Sequence, residues 1–368
     1  MSEKQCTALV TEAPSSGGPA TLVKKSIPLP KPAPNQVLVK ISHVAQNPTD
    51  GEPQPCPIRS PPNRLVSIVQ SLDSNAFGDG AVLGCDFVGT VEETGSQVKK
   101  LQKGDTIAGL IWGGVIKGLG GYSEYTVADD KISFRVPSNI TPEEAATLPL
   151  ASMTAWLALF SKDCLNIPRD SGSDTSILIW GGSSSVGLYA IQIAALHGFK
   201  VITTCSPRHF DLVKRFGAAH AFNYREVDVV DYIKKAAPGI EYVFDTIGNE
   251  LSSSFASLAI GENGGTLCTV RPGKAHTAGV TKRTKITDVL VWTAFLKDHR
   301  YGSFHWPAHE ADHKLGAEFF EKLPGWVEEG KMKPNTPKVI PGGLDGVPKG
   351  FQEYRDGNIS ATKLVYKL

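Results

Sequence analysis

The hydrophobic pattern divides the chain into an early part of short strands and a later part in which strand-length and helix-length runs alternate. Up to about Val127, brief apolar runs are separated by turn residues: residues 36–41 alternate, residues 82–91 read as a glycine-broken strand pair, and residues 103–108 read as a turn and then a strand. A β-rich first domain is expected there. Within it, residues 49–80 hold Pro53, Pro55, Pro57, Pro61 and Pro62 and then a short helical pattern over residues 65–72, which reads either as a lid or as a mobile loop. Thr141-Pro142-Glu143-Glu144 has the form of a capped helix start with proline at the first helical position.

Further on, residues 176–180 form an apolar strand that stops abruptly at Gly181-Gly182-Ser183-Ser184-Ser185-Val186-Gly187, after which Leu188, Ile191, Ile193, Ala194 and Leu196 take up a helical period. Small residues let the backbone approach a ligand closely, and the N–H groups and dipole of a helix N-terminus favour a pyrophosphate. Residues 201–205 make the next strand and residues 210–216 a helix closed by Gly217, which completes a βαβ unit. The second strand ends at Ser206-Pro207-Arg208, where a site for NAD(H) would set a carboxylate against the ribose 2′-hydroxyl. A hydroxyl and a planar cationic fork suit a 2′-phosphate instead, so NADPH is the expected cofactor. Residues 221–224, 227–235, 242–248 and 265–270 continue the alternation. An α/β fold with a doubly wound parallel sheet follows, with ligands at the carboxyl ends of its strands and Asp245, Thr246 and Val270 as pocket candidates. A last helix over residues 315–327 precedes Val339-Ile340 and a closing strand over residues 363–366.

At 368 residues the chain is long enough for two cores, and 38 basic against 37 acidic side chains leave a net charge of +1. That balance offers no whole-chain attraction to nucleic acid or to an anionic membrane, so partners are to be sought in a pocket. The opening Met1-Ser2-Glu3-Lys4-Gln5-Cys6 is not a signal segment and no apolar run is long enough to span a bilayer, so a cytoplasmic enzyme is expected. Cys6, Cys56, Cys85, Cys164, Cys205 and Cys268 are dispersed with no C-x-x-C pair, which predicts buried free thiols in place of a disulfide framework or a structural zinc knot.

Taken in order, several motifs resemble the medium-chain dehydrogenase/reductase superfamily over nearly the whole chain. They are Asn47-Pro48-Thr49-Asp50, Leu83-Gly84-Cys85-Asp86-Phe87-Val88-Gly89, Gly121-Tyr122-Ser123-Glu124-Tyr125, Ala145-Ala146-Thr147-Leu148-Pro149, the turn of residues 181–187, Asp245-Thr246-Ile247-Gly248 and Gly357-Asn358-Ile359-Ser360. The resemblance implies a GroES-like catalytic domain over residues 1–165, a Rossmann domain over residues 166–310 and a segment over residues 311–368 that completes the catalytic domain. Cys205-Ser206-Pro207 and Asn223-Tyr224-Arg225 look most like the fungal trans-acting enoyl reductases that serve polyketide synthases, and next like the quinone oxidoreductases. Carried over, Ser183, Ser184, Ser185, Val186 and Gly187 would hold the pyrophosphate, and Ser206, Arg208 and Tyr224 the adenosine 2′-phosphate end. Asn47 and Thr154 would face the nicotinamide side, and Asp245, Ile247 and Val270 would line the groove beside it. On the residues alone, Asn47 also reads as a turn residue before Pro48, and Tyr224 as a packed strand residue.

Zinc-using alcohol dehydrogenases resemble the chain as well, but place a cysteine in the first motif, His-Glu in the second and a four-cysteine loop beyond. Here Pro48-Thr49-Asp50 lacks the thiolate, Cys85-Asp86 stands for His-Glu, and the loop is absent. A tetrahedral catalytic site needs three protein ligands, so no metal is expected. His309-Glu310-Ala311-Asp312-His313 fits H-E-x-x-H, yet no obvious third ligand follows it and a solvated helix start is the expected reading. The function expected is an NADPH-dependent enoyl reductase that passes hydride to an α,β-unsaturated thioester or carbonyl, working with a polyketide synthase carrier domain as a monomer or homodimer. Its proton source is open among Tyr122, Tyr301 and water, because Gly51-Glu52-Pro53 stands where some relatives have a lysine. A quinone or alkenal reductase acting on free small molecules, and an NADPH-binding protein without turnover, are the alternatives.

Overall fold

The computed structural model describes residues 4–13, 20–48, 77–301 and 304–368, so residues 49–76 of the proline-rich stretch, with Cys56 and the short helix expected over residues 65–72, lie outside the described residues. The chain forms two compact units, Met1–Leu150 with Phe320–Glu328 and Pro334–Leu368, and Ala151–Phe319 with Glu329–Lys333. In chain order the first unit contributes β1 (Gln5–Glu12), β2 (Thr21–Pro28), β3 (Gln36–Ala45), β4 (Asp86–Thr94), β5 (Thr106–Leu110), β6 (Tyr125–Asp129), β7 (Ser133–Arg135) and α1 (Pro142–Ala145). Helix α2 (Pro149–Phe160) leads to β8 (Ser176–Trp180), α3 (Ser185–Leu196), β9 (Lys200–Cys205), α4 (Phe210–Arg215), β10 (His220–Asn223) and α5 (Val229–Ala236). Then come β11 (Tyr242–Asp245), α6 (Glu250–Leu258), β12 (Gly265–Thr269), β13 (Thr284–Asp288), a hairpin of β14 (His299–Tyr301) and β15 (Phe304–Trp306), and α7 (Glu310–Glu328). The chain closes with β16 (Thr336–Val339), α8 (Val347–Arg355) and β17 (Thr362–Lys367).

In the first unit β1 and β2 pair antiparallel, and a larger sheet of the described residues runs β16-β17-β3-β4-β5-β7, with β6 also on β3. Strand β3 does not alternate as its sequence suggests: Val37, Leu38 and Val39 are all buried and Lys40 is exposed. The cause is its central place, paired to β4, β6 and β17, together with register shifts at Leu38/Val39 and Ile41/His43. The strand pair expected over residues 82–91 is one strand, β4, because Gly84 at φ +93° turns the chain before it; Val82 makes only an isolated bridge to Val10. Tyr122, a proton-donor candidate, is fully buried, with the rings of Phe351 and Tyr366 edge-on to it at 6.3 Å each. Thr141 caps α1 as its sequence predicts, accepting from Glu144 N at 3.2 Å while the Glu144 carboxylate accepts from Thr141 N at 2.8 Å.

The second unit is a parallel sheet in the order β10-β9-β8-β11-β12-β13. The strand order reverses between β8 and β11, which opens a crevice at their carboxyl ends. Helix α2 packs with this unit: Trp156 lies against Phe160 and Phe319 at 4.6 and 5.2 Å and donates to Leu315 O at 2.9 Å. The first division between the units falls at Leu150 and the next at Phe319. Cys6, Cys164, Cys205 and Cys268 are buried free thiols, and burial pushes Cys205 up to about 11. Among the described residues no helix is long and apolar enough to cross a membrane.

His43 on β3 is 5% exposed, with Nε2 3.3 Å from the Glu143 carboxylate and Nδ1 3.0 Å from Ser42 Oγ. Burial lowers its pKa, Glu143 opposes this, and Lys367 adds to it. Between that lowered pKa and the free value of about 6.5, the folded chain binds fewer protons at His43 than the unfolded chain does, so stability falls as pH drops through the window. Urea melts at about pH 7.5 and about pH 5.5 are expected to show this loss, and His43→Gln to reduce it; an equal loss in the variant would contradict the assignment.

Candidate active site

Strand β8 buries Ile177, Leu178 and Ile179 completely, as a parallel strand covered on both faces does. Its continuation turns sharply at Gly181, φ +89°, where an added Cβ would lie 2.6 Å from the Ile247 side chain and 2.7 Å from Thr246 Oγ1. At Gly182 a Cβ would collide with Thr203 Oγ1. Both positions therefore exclude a side chain. Ser184, which stands where the usual fingerprint has glycine, is the N-cap of α3: its Oγ accepts from Gly187 N at 2.9 Å and lies 2.9 Å from Thr246 Oγ1. Thr246 Oγ1 in turn donates to the carbonyls of Trp180 and Gly181, each at 2.9 Å. Ser183, Ser184, Ser185 and Val186 stay half-buried at the mouth of this turn, whereas Gly182 and Gly187 are buried beneath it. The first turn of α3 thus offers its N–H groups and positive dipole end to an anion.

Ser206 follows β9 and Tyr224 follows β10, and Cys205 is in register with Asn223, so both residues stand at one sheet edge. Arg208 is exposed there, its Nε donating to His209 Nε2 at 3.2 Å; burial and the Arg208 charge hold His209 below the usual histidine range. The Arg225 guanidinium lies 5.3 Å from the Tyr224 ring centre, a cation–π distance that adds a second guanidinium to this edge.

Asp245 ends β11 and is fully buried. Its carboxylate does not line a groove. One oxygen accepts from the N–H groups of Ile247 and Gly248, both at 3.0 Å, and the other from the hydroxyls of Ser252 and Ser253 at 2.7 and 2.8 Å. Burial raises its pKa against the pull of these four donors. Ile247 and Val270, both half-buried, stand at the carboxyl ends of β11 and β12, and Val270 N donates to Asp245 O at 3.1 Å.

Asn47, in the first unit, is 2% exposed; its Nδ2 donates to Asp86 Oδ2 at 2.7 Å and its Oδ1 accepts from Lys363 Nζ at 2.8 Å. Lys363 also lies 2.8 Å from Asp86 Oδ2, and Leu150 N donates to Asp86 Oδ1 at 2.6 Å. Reversing the Asn47 amide would set donor against ammonium and acceptor against carboxylate, so the ion pair fixes its orientation. The pairing of Asp86 with Lys363 escapes a sequence reading because 277 residues separate them. Thr154 is buried on α2 in the second unit, and the side chain of Tyr301 lies outside the described residues. Removing one partner of a buried ion pair leaves the other charge uncompensated, so Lys363→Met is expected to cost about 3–5 kcal/mol in chemical denaturation. Adding Asp86→Asn should recover part of this loss, and a cost of less than about 1 kcal/mol for Lys363→Met would contradict the assignment.

An alcohol dehydrogenase GroES-like domain model matches residues 33–138, and a zinc-binding dehydrogenase model matches residues 185–287. The chain is 32% identical over 353 residues, 93% of its length and 94% of the relative's, to a zinc-type alcohol dehydrogenase-like protein of Schizosaccharomyces pombe. It is 32% identical over 352 residues, 94% of its length and 95% of the relative's, to a trans-enoyl reductase of Alternaria alternata. The crystal structure of a putative zinc-dependent alcohol dehydrogenase from Rhizobium etli shares the fold, with a TM-score of 0.76 at 23% identity over 100% of this chain and 99% of that one. Among the described residues the donors do not fit zinc: Asp86 is engaged by Lys363, Asn47 and Leu150 N, and no group of three or more His, Cys, Asp or Glu could hold a metal ion. In the H-E-x-x-H segment, His309 Nε2 lies 2.9 Å from Asp163 and its Nδ1 accepts from Asp312 N, while His313 Nδ1 is 2.6 Å from Ala294 O. From the GroES-like residues at its start to its closing strand, the chain belongs to the medium-chain dehydrogenase/reductase superfamily.

Proposed function

We propose that the protein is an NADPH-dependent enoyl reductase that receives an α,β-unsaturated acyl thioester from a polyketide synthase carrier domain in the cytoplasm, as a monomer or homodimer. The observation that carries the reading is the turn at the sheet reversal, where Gly181 and Gly182 have no room for a Cβ and the N-terminus of α3 opens through Ser183–Ser184–Ser185–Val186. In this reading the turn holds the pyrophosphate, and Ser206, Arg208 and Tyr224 hold the 2′-phosphate, since Ser206 and not a carboxylate directly follows β9. Ile247 and Val270 form the apolar wall of the nicotinamide side, and Thr154, in the same unit, supplies a polar contact. When bound, NADPH would supply the hydride that adds to the substrate β-carbon, and the α-carbon of the resulting enolate would take its proton from solvent. The chain's part is to orient the two reactants, exclude water and set hydrogen-bond donors where the enolate oxygen gains charge. Because the donor set does not suit zinc, reduction of a polarised C=C bond is a better match than alcohol oxidation, which relies on a Lewis acid. The likeness to the Alternaria alternata trans-enoyl reductase supports the same substrate class.

The test is NADPH consumption with S-crotonyl N-acetylcysteamine, run beside a quinone after exhaustive chelation. Consumption with the thioester that the chelator does not diminish is expected. A charge-assisted contact is worth roughly 1.5–3 kcal/mol, so Arg208→Ala should raise the KM for NADPH about tenfold or more and leave that for NADH unchanged. Turnover of the quinone alone, or loss of activity on chelation, would contradict the reading.

A further inference from the structure

The loop after β11 is gripped from two sides. Asp245 accepts from the N–H groups of Ile247 and Gly248, both at 3.0 Å, while Arg271 donates to the carbonyls of the same two residues, Nε to Gly248 O at 2.9 Å and Nη2 to Ile247 O at 3.2 Å. Gly248 sits at φ +65°, and a Cβ there would lie 2.6 Å from Arg271 Cγ, so the arginine stem rests on the loop backbone. The carboxylate is held by Ser252 and Ser253, and Arg271 directly follows Val270 at the end of β12, so each jaw is anchored in a different part of the unit. Between them the Ile247 side chain is set against Gly181, the first residue of the pyrophosphate turn.

We infer that Arg271 is a positioning residue of the cofactor groove: with Asp245 it locks the two peptide units that carry Ile247 and so fixes the wall against which the nicotinamide end of NADPH lies. This rests on the proposed reading that Ile247 faces the cofactor. A guanidinium suits the task because its planar fork reaches two carbonyls at once, and an ammonium offers no such fixed spacing. A loop already held in its binding shape avoids the ordering cost of closing on a ligand, so the clamp is read out in affinity as well as in local opening.

The experiment compares the full chain with Arg271→Met and Arg271→Lys, using NADPH itself as the probe. In the cofactor-free protein, amide exchange at Ile247 and Gly248 should quicken by about tenfold or more in Arg271→Met and less in Arg271→Lys, with exchange across β8 and β12 unchanged. The Kd for NADPH should rise by about tenfold in Arg271→Met. Should Arg271→Met fail to fold, Arg271→Lys carries the same comparison. Unchanged exchange at Ile247 and Gly248 overturns the clamp. Quickened exchange with an unchanged Kd overturns its link to the cofactor, whereas failure of the wild-type chain to bind NADPH overturns the underlying reading and leaves exchange to judge the clamp.

Discussion

One hydroxyl joins the two strands between which the sheet reverses. Thr246 Oγ1, just beyond β11, donates to the carbonyls of Trp180 and Gly181 at the end of β8 and meets the hydroxyl of Ser184, which caps α3. The chains leave these strands in different directions, and that bridge, together with Thr246 N donating to Trp180 O at 3.0 Å, ties the glycine turn to the loop beside it. The bridge requires close approach, which is why Gly181 cannot carry a side chain, while at Gly182 it is Thr203 Oγ1 on β9 that leaves no room for one. What results is a backbone surface at a helix N-terminus, the feature on which a pyrophosphate site depends.

In the first unit, an internal ion pair fills the buried space around Asp86, whose oxygens accept from Lys363, Asn47 and Leu150 N. A carboxylate so engaged has its charge compensated by a buried ammonium, which holds Asn47 in one orientation. The Schizosaccharomyces pombe relative and the Rhizobium etli structure carry zinc in their names, whereas Asp86 here is engaged by an ammonium.

Strands β8, β9, β11 and β12 of the second unit were legible because parallel strands buried on both faces produce apolar runs, and α3 kept its helical period. Helix α6 was not legible, for a physical reason: it buries Ser252, Ser253, Ala256 and Ser257 and exposes Leu251, Phe255 and Leu258, the inverse of the pattern that announces a helix. The anion turn could be read from Gly181 to Gly187, and even Ser184 was visible as a departure. Its bond to Thr246 was not, because 62 residues lie between them. Asp245 was recognised as a residue of the site, but its direction was not, since a carboxylate that accepts four hydrogen bonds from inside looks in sequence like one that faces a ligand. Arg271 and Lys363 carry no local signal at all; their partners lie 23 or more residues away.

The central claim is that hydride passes from NADPH to a carbon–carbon double bond. Its most direct test is isotopic: NADPH deuterated at the nicotinamide C4, incubated with an enoyl thioester, and the product analysed by NMR. The account predicts deuterium at the β-carbon of a saturated thioester, delivered from one face of C4, with the α-hydrogen drawn from solvent. Deuterium on the former carbonyl carbon of an alcohol product, or a saturated product whose β-hydrogen comes from water, would contradict it.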